Sequence, residues 1–362
     1  MNKLIKKNIE IDRAISEFRS GRPIIINKDN QYWLFFNLES LDDKLIKRLI
    51  KQKNKIYTYI TNKKAKNLKL KNINHKKNVH TLFKFNDLKW LQYVHTHKLR
   101  DFEYNKFNKN YFSISPSFIE DIFKLAKNSK TIPCLIGCKV NIKSIESSIL
   151  VFNHKYLKNQ NKTIVESTKM VSKSSIPLDK EHKSKIRVFK SFVGGLEHVV
   201  LQIGAPNKKE IVNLRIQSSC LTGEVFHSIK CDCYDQLHQS INYISKNGGG
   251  YIIHLQQEGR GIGLKNKIIA YNMQDQNLDS YEADAVLGFS GEERDFRIAV
   301  KILKFLKIKR VNLITNNKQK INSLKKNGIK VSKRTSTYTT INKFNSNYLL
   351  SKNKRKYQYG IK

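Results

Sequence analysis

The chain is short of cysteine, of acidic residues and of long apolar runs. Five cysteines in 362 residues cannot staple a fold of this size, which excludes a disulfide scaffold and favours a reducing compartment. No apolar run approaches the roughly 18 residues that a membrane span requires. The opening MNKLIKKNIEIDRAI is basic but lacks the unbroken apolar stretch of a secretory signal, so a cytoplasmic protein is expected. Acids number 29 against 69 Lys and Arg, a formal net charge of +40. Arginine is scarce within that excess, with 56 Lys beside 13 Arg. Phosphate and base recognition favours the forked guanidinium. The balance therefore reads first as a Lys- and Asn-rich solvated surface, with binding of RNA or another polyanion left open by charge alone.

The charge is unevenly spread. Residues 51–100 carry 14 basic side chains and one acid, Asp87, and residues 301–362 carry 18 and none. Residues 251–300 break the trend with eight acids against five bases, so that window has held its carboxylates. Hydrophobic residues make up 39% of the chain, 18 Phe and 16 Tyr among them, which is enough for two domains with cores.

Periodicity predicts a helix over residues 1–20, two short strands at Ile24–Ile26 and Tyr32–Phe36, a helix over 40–53, a helix from Ser117 to Lys127 and a strand region from Thr131 to Ile142. Residues 54–110 give no clear pattern, and the polar stretch from Asn159 to Ser175 reads as a linker. Beyond it strands are expected at Glu197–Gly204, Ile211–Ile216, Tyr251–Leu255 and Val311–Ile314. Helices are expected at Tyr234–Lys246, at Glu292–Leu306 and from Asn317 to Lys326. Strands and helices alternating in this way imply an α/β fold with mixed sheets in two domains. The expected boundaries are 1–170 and 176–335, with a basic tail over 336–362.

Chemistry-bearing residues cluster in the second half. Cys220, Cys231 and Cys233 stand in the frame SSCLTGEVFHSIKCDC. Three thiolates suit Zn²⁺ and leave a fourth position for water, although spacing alone leaves three small buried residues as an equal alternative. Cys134 and Cys138 lack such a setting and read as buried apolar residues. The segment HLQQEGRGIGLKNKIIAYNMQDQ follows a predicted strand. Its Gly259, Gly261 and Gly263 permit sharp turns, with Arg260 among them as an anion fork and Gln256, Gln257 and Glu258 as donors and acceptors for a purine edge. Glu292, Arg294 and Asp295 in GFSGEERDF are placed at a helix start. Thr315, Asn316 and Asn317 fall where a strand gives way to a helix, the usual ligand crevice of an open α/β sheet, with Lys320 close behind.

Taken together, CLTGEVFHSIKCDC, QQEGRGIGLKNKIIAY, QDQ, LGF, ERDF and LITNN resemble the GTP cyclohydrolase II family in identity and in order, over about residues 176–335. The resemblance implies a zinc enzyme of riboflavin biosynthesis that converts GTP to a diaminopyrimidine ribosyl phosphate, formate and pyrophosphate. It implies Cys220, Cys231 and Cys233 as zinc ligands. It implies a GTP site formed by Arg215, Ile216, Gln217, Ser218, Ser219, Gln236, Glu258, Gly259, Arg260, Ser280, Thr315 and Lys320. Glu292 would be the proton acceptor, Arg294 the nucleophile on the α-phosphorus or a stabiliser of its transition state, and Tyr271 a neighbour of the opened ring. Mg²⁺ on the triphosphate and a homodimer are further implications. Two departures stand out: the family's usual Arg-Val-His-Ser-Glu-Cys is LRIQSSC here, so Gln217 and Ser219 replace His and Glu, and Glu292 stands where Asp is usual.

The stretch IDRAISEFRSGRPIII resembles the opening of 3,4-dihydroxy-2-butanone 4-phosphate synthase, which precedes the cyclohydrolase in many bacterial fusions. That family follows it with a dense acidic magnesium loop, whereas here NKDNQYWLFF offers Asp29 alone. The first half is therefore expected to keep the synthase fold without its catalysis. A bifunctional enzyme and an inactive homologue turned to polyanion binding are the rival expectations.

Overall fold

The computed structural model describes residues 3–40, 44, 47, 51, 55–67, 81–84, 111–112, 117–178, 183–275, 278–338 and 341–346. The expected helix over 40–53, most of 54–110 and the end of the basic tail lie outside these residues. The chain divides into two compact units, Met1–Gln160 with Ile268–Glu293, and Asn161–Lys267 with Arg294–Lys362.

The first unit is built on a seven-stranded sheet. Its strands are β1 (Ile24–Lys28), β2 (Gln31–Asn37), β3 (Tyr57–Ile60), β4 (Thr81–Lys84), β5 (Tyr111–Phe112), β6 (Cys134–Val140) and β7 (Val151–Asn153), in the order β5-β4-β3-β6-β2-β1-β7. Among the described residues only the β1–β7 pair is parallel. Helices Lys3–Arg19 and Ile119–Asn128 bury Ile11, Ile15 and Phe18, and Ile122, Phe123 and Leu125. These follow the 3.6-residue period that the sequence displays. Cys134 and Cys138 are fully buried, as expected, and burial pushes both thiols up to about 12. Strands β1 and β2 are joined by the two residues Asp29 and Asn30, both at positive φ (51° and 59°). This is the geometry of a tight hairpin turn, and Asp and Asn tolerate it.

The second unit holds the other seven-stranded sheet, ordered β14-β13-β11-β12-β10-β9-β8. Its strands are β8 (Thr168–Ser175), β9 (Ser184–Ser191), β10 (Glu197–Ile203), β11 (Val212–Ser218), β12 (Gly250–Leu255), β13 (Arg310–Ile314) and β14 (Lys330–Thr335). Strands β12, β11, β13 and β14 are mutually parallel, and β12, β10, β9 and β8 pair antiparallel. The apolar residues Tyr251, Ile252, Ile253 and Leu255 of β12 suit a strand covered on both faces. On one face Ile244 of helix Cys233–Lys246 packs with Ile203, Ile252 and Ile314. On the other, helices Arg297–Phe305 and Lys318–Lys326 close over Val212, Leu214, Ile216, Ile253 and Leu313. The α/β class with mixed sheets is therefore observed.

Two expectations are corrected. The stretch read as a linker, 159–175, forms helix Gln160–Glu166 and strand β8. From Lys173 to Ser175 that strand is exposed, so pairing with β9 supports it and no apolar alternation marks it. The helix expected at Glu292–Leu306 begins only at Arg297. Gly291 at φ 86° and the Asp295 carboxylate, which accepts from the backbone N–H of Arg297 at 3.0 Å, keep Glu292 to Asp295 outside it. Helices Leu264–Gln274 and Ser280–Leu287 were not anticipated.

Candidate active site

Strands β11, β12 and β13 run parallel, so their C-terminal ends open onto one edge of the sheet, where ligands of open α/β sheets bind. The segments that leave these ends are Ser219–Cys220, Gln256–Gly263 and Thr315–Asn317. Each had been singled out by its chemistry.

The three cysteines meet. Their sulfurs all lie within 4.8 Å of one another, and Cys220 Sγ is 3.7 Å from Cys231 Sγ. Zn–S bonds of about 2.3 Å in a tetrahedral site place sulfurs about 3.8 Å apart, so the donor set fits zinc. Gly223, in the short helix Leu221–Glu224, makes the approach possible. A Cβ there would stand 2.6 Å from Cys231 Sγ, 3.1 Å from Cys233 Cβ and 3.2 Å from Cys220 Sγ. Hydrogen bonds from the other two thiols, with Lys267 adding its charge, draw the Cys220 thiol far below its ordinary range. The same sharing pushes Cys231 and Cys233 up.

Around the sulfurs lies a polar network. Lys267 is 8% exposed and donates to Cys220 Sγ at 3.2 Å, to Thr222 Oγ1 at 2.8 Å and to Glu258 Oε1 at 2.7 Å. Glu258 also accepts from the backbone N–H of Leu221 at 2.8 Å, which ties the Gly-rich loop to the cysteine segment. Gly259 within that loop has φ 60°, and its Cβ would fall 2.9 Å from Lys267 Cβ, so glycine is required there. Arg215 is 2% exposed and donates to Gln217 Oε1, to Gln236 Oε1 at 2.6 Å and to Ile314 O. Burial pushes this guanidinium down to about 10, against the pull of Asp232, Cys233 and Glu224. Gln217 passes the network on through its amide to Glu224 Oε1 at 2.8 Å, and Glu224 Oε2 pairs with His254 Nε2 at 2.8 Å. Ser219 Oγ is buried without a hydrogen-bond partner. A carboxylate from Glu224 thus stands beside the cysteine segment where Ser219 offers none.

Arg294 and Lys320 complete this edge. Arg294 Nη1 donates to Ser218 Oγ at 3.5 Å, and its guanidinium stacks 5.1 Å from the centroid of Phe296. Lys320 is buried, donates to Ile216 O at 2.7 Å and sits 5.8 Å from the same ring. Asn317 caps helix Lys318–Lys326, accepting from Gln319 N and Lys320 N, and Thr315 Oγ1 accepts from Asn317 N.

The second unit therefore brings together Arg215, Ile216, Gln217, Ser218, Gln236, Glu258, Lys320 and Arg294 with the cysteines, and places Gly259, Arg260 and Thr315 on the loops of the same edge. Tyr271, Ser280 and Glu292 belong to the first unit. Sequence reasoning missed Gly223, Glu224, His254 and Lys267. All four lie inside segments already noted, but their contacts with sulfur, with Glu224 and with Glu258 exist only after folding.

A family model described as GTP cyclohydrolase II matches residues 169–336. A GTP cyclohydrolase-2 of Campylobacter hominis is 49% identical over 168 residues, covering 46% of this chain and 83% of the relative. The chain belongs to the GTP cyclohydrolase II family. Family relatives include the GTP cyclohydrolase-2 of Histophilus somni, 46% identical over 44% of this chain and 74% of its own, and that of Picrophilus torridus, 45% identical over 44% and 83%. A solved two-domain 3,4-dihydroxy-2-butanone 4-phosphate synthase from A. baumannii aligns over 90% of this chain and 99% of its own, at 10% identity and a TM-score of 0.31, a likeness too weak to assign a fold. Among the described residues no helix is long and apolar enough to cross a membrane.

Proposed function

We propose that the chain is a zinc-dependent GTP cyclohydrolase II, hydrolysing GTP to 2,5-diamino-6-hydroxy-4-(5-phosphoribosylamino)pyrimidine, formate and pyrophosphate. The observation that carries this reading is the convergence of three sulfurs within 4.8 Å on the strand edge that also holds Arg215, Arg294 and Lys320. Cys220, Cys231 and Cys233 would hold zinc, which when bound supplies Lewis acidity for attack of water on the imidazole carbon of guanine.

The chain's own groups account for binding and charge. Glu258, fixed by Leu221 N and Lys267, presents a carboxylate to the amino and imino donors of a guanine edge. Arg260 and Lys320 are cations for the triphosphate, and Mg²⁺ would neutralise the remaining phosphate charge. Arg294, on the Phe296 ring beside Ser218, would stabilise charge at the α-phosphorus. Glu292 would accept a proton and Tyr271 would neighbour the opened ring. Gln217 and Gln236 hold the Arg215 guanidinium by its fork, and with Ser280 and Thr315 complete the substrate shell. A homodimer in the cytoplasm is the assembly and location that go with this activity.

The domain assignment follows. Residues 1–170 are a synthase-like domain without catalysis, 176–335 the cyclohydrolase domain and 336–362 a basic tail. Support for the missing first activity is the two-residue turn Asp29-Asn30, which leaves one carboxylate where a magnesium site needs several.

The test is GTP incubated with purified, zinc-loaded protein and Mg²⁺, with products read by mass spectrometry. Formate and the diaminopyrimidine in equal amounts are expected. Intact GTP in the presence of a stoichiometrically zinc-loaded protein overturns the reading, and conversion of ribulose 5-phosphate to a butanone phosphate overturns the assignment of residues 1–170.

A further inference from the structure

The first compact unit joins the N-terminal sheet to Ile268–Glu293, a stretch inside the family-matched region, and its N-terminal part reaches that stretch with the side chains of Thr61, Lys63, Lys64 and Lys127 among the described residues. Lys64 Nζ donates to Val286 O at 3.1 Å and Thr61 Oγ1 to Gly288 O at 3.0 Å. Lys63 Nζ donates to Ser290 O at 2.5 Å, and Lys127 Nζ to Glu293 Oε1 at 2.8 Å. The same Glu293 oxygen accepts from the backbone N–H of Ser290 at 2.6 Å, so Lys127 is coupled to the loop backbone.

Two features say that these are struts for the loop. Lys64 is fully buried, a costly place for an ammonium. It lies at the C-terminal carbonyls of helix Ser280–Leu287, where the helix dipole is negative. A cavity of about 260 Å³ has Thr61, Lys63, Glu120, Lys127, Gly288 and Ser290 among its lining residues. Apolar packing does not fill the space beside these contacts.

We propose that Thr61, Lys63, Lys64 and Lys127 are positioning residues that fix the backbone of Gly288–Glu293, the segment that carries Glu292 and runs by one peptide bond into Arg294. The N-terminal half then serves the reaction as a clamp, with no chemistry of its own. This rests on the GTP reading above, because it is that reading which gives Glu292 and Arg294 their roles. Displacing such groups by about 1 Å costs up to roughly a hundredfold in rate.

The experiment uses the full zinc-loaded chain as wild type, as the double variant Lys63→Met/Lys127→Met, and as Lys127→Arg. Two readouts are taken: formate release as kcat and KM, and amide hydrogen exchange of residues 289–294. In the double variant, exchange is expected to rise about tenfold and kcat to fall about tenfold, with KM for GTP within about twofold and zinc content unchanged. Lys127→Arg, which keeps a cation at Glu293, should hold both near wild type. Unchanged exchange, or raised exchange with unchanged kcat, overturns the clamp while leaving the GTP reading intact. A wild type that binds zinc but makes no formate overturns the GTP reading, and the clamp's hold on the loop is then decided by exchange alone.

Discussion

Gly223→Ala puts the sulfur cradle under direct strain. The added methyl would sit 2.6 Å from Cys231 Sγ and 3.2 Å from Cys220 Sγ. An ordinary carbon–sulfur contact is about 3.7 Å, so Cys231 must retreat by about 1 Å or the helical turn Leu221–Glu224 must shift by as much. Zinc tolerates about 0.2 Å of error in its ligand distances, so the trio cannot accommodate that shift and keep its geometry. Overpacking of this kind costs about 1–3 kcal/mol, which corresponds to a loss of roughly 5- to 150-fold in zinc affinity. Competition with a chromogenic chelator measures that affinity directly, and far-ultraviolet circular dichroism establishes that the fold persists. Formate release should fall in proportion to bound zinc and recover partly at high zinc. Wild-type zinc affinity in this variant would refute the argument, because the cradle would then not be the metal site or would not be close-packed.

Other consequences follow from the same geometry. Lys267→Met removes the donor shared by Cys220, Thr222 and Glu258, and zinc affinity measured by chelator competition should drop about tenfold, with Lys267→Arg recovering part of it. Arg215→Met leaves Gln217 and Gln236 facing an apolar chain, and chemical denaturation should show a loss of about 3 kcal/mol. Burial pushes Lys64 down to about 8 from its ordinary 10.5. Between those values the unfolded chain binds more protons than the folded one, so stability from this group rises as pH rises from about 8 to about 10.5. The rise is at most about 3 kcal/mol and is reduced by the bond to Val286 O, which favours the charged form. Urea midpoints of wild type and Lys64→Met across that range should diverge accordingly; parallel curves would contradict it.

Much of the second unit was legible because its central strands are mostly apolar and its loops carry unusual residues. The run Tyr251–Leu255 before the Gly-rich loop, and Val311–Ile314 before Thr315, specified both the strands and the edge on which they open. The cysteine trio was legible as a candidate, and its convergence became visible only in three dimensions. Where the sequence misled, the cause was physical. Strand β8 is polar and exposed over much of its length, so its pairing with β9 leaves no periodic trace. The acids of GEERDF look like the first turn of a helix, but Asp295 is engaged by Arg297 and the helix starts later. Helix Ser280–Leu287 did carry a signal: Asp279 and Glu282 form a capping box and Gly288 ends the helix at φ 95°. The contacts of Lys63, Lys64 and Lys127 with residues 286–293 span more than 160 positions and had no local signature.

The most direct test of the account is a titration of zinc into the metal-stripped full-length chain, with formate from GTP read at each step. The account predicts that formate release is absent at the start, climbs linearly and levels off at one zinc per chain, and that Cys231→Ser stays flat throughout. Formate production that ignores added zinc, or a chain that takes up one zinc and still leaves GTP whole, would contradict it.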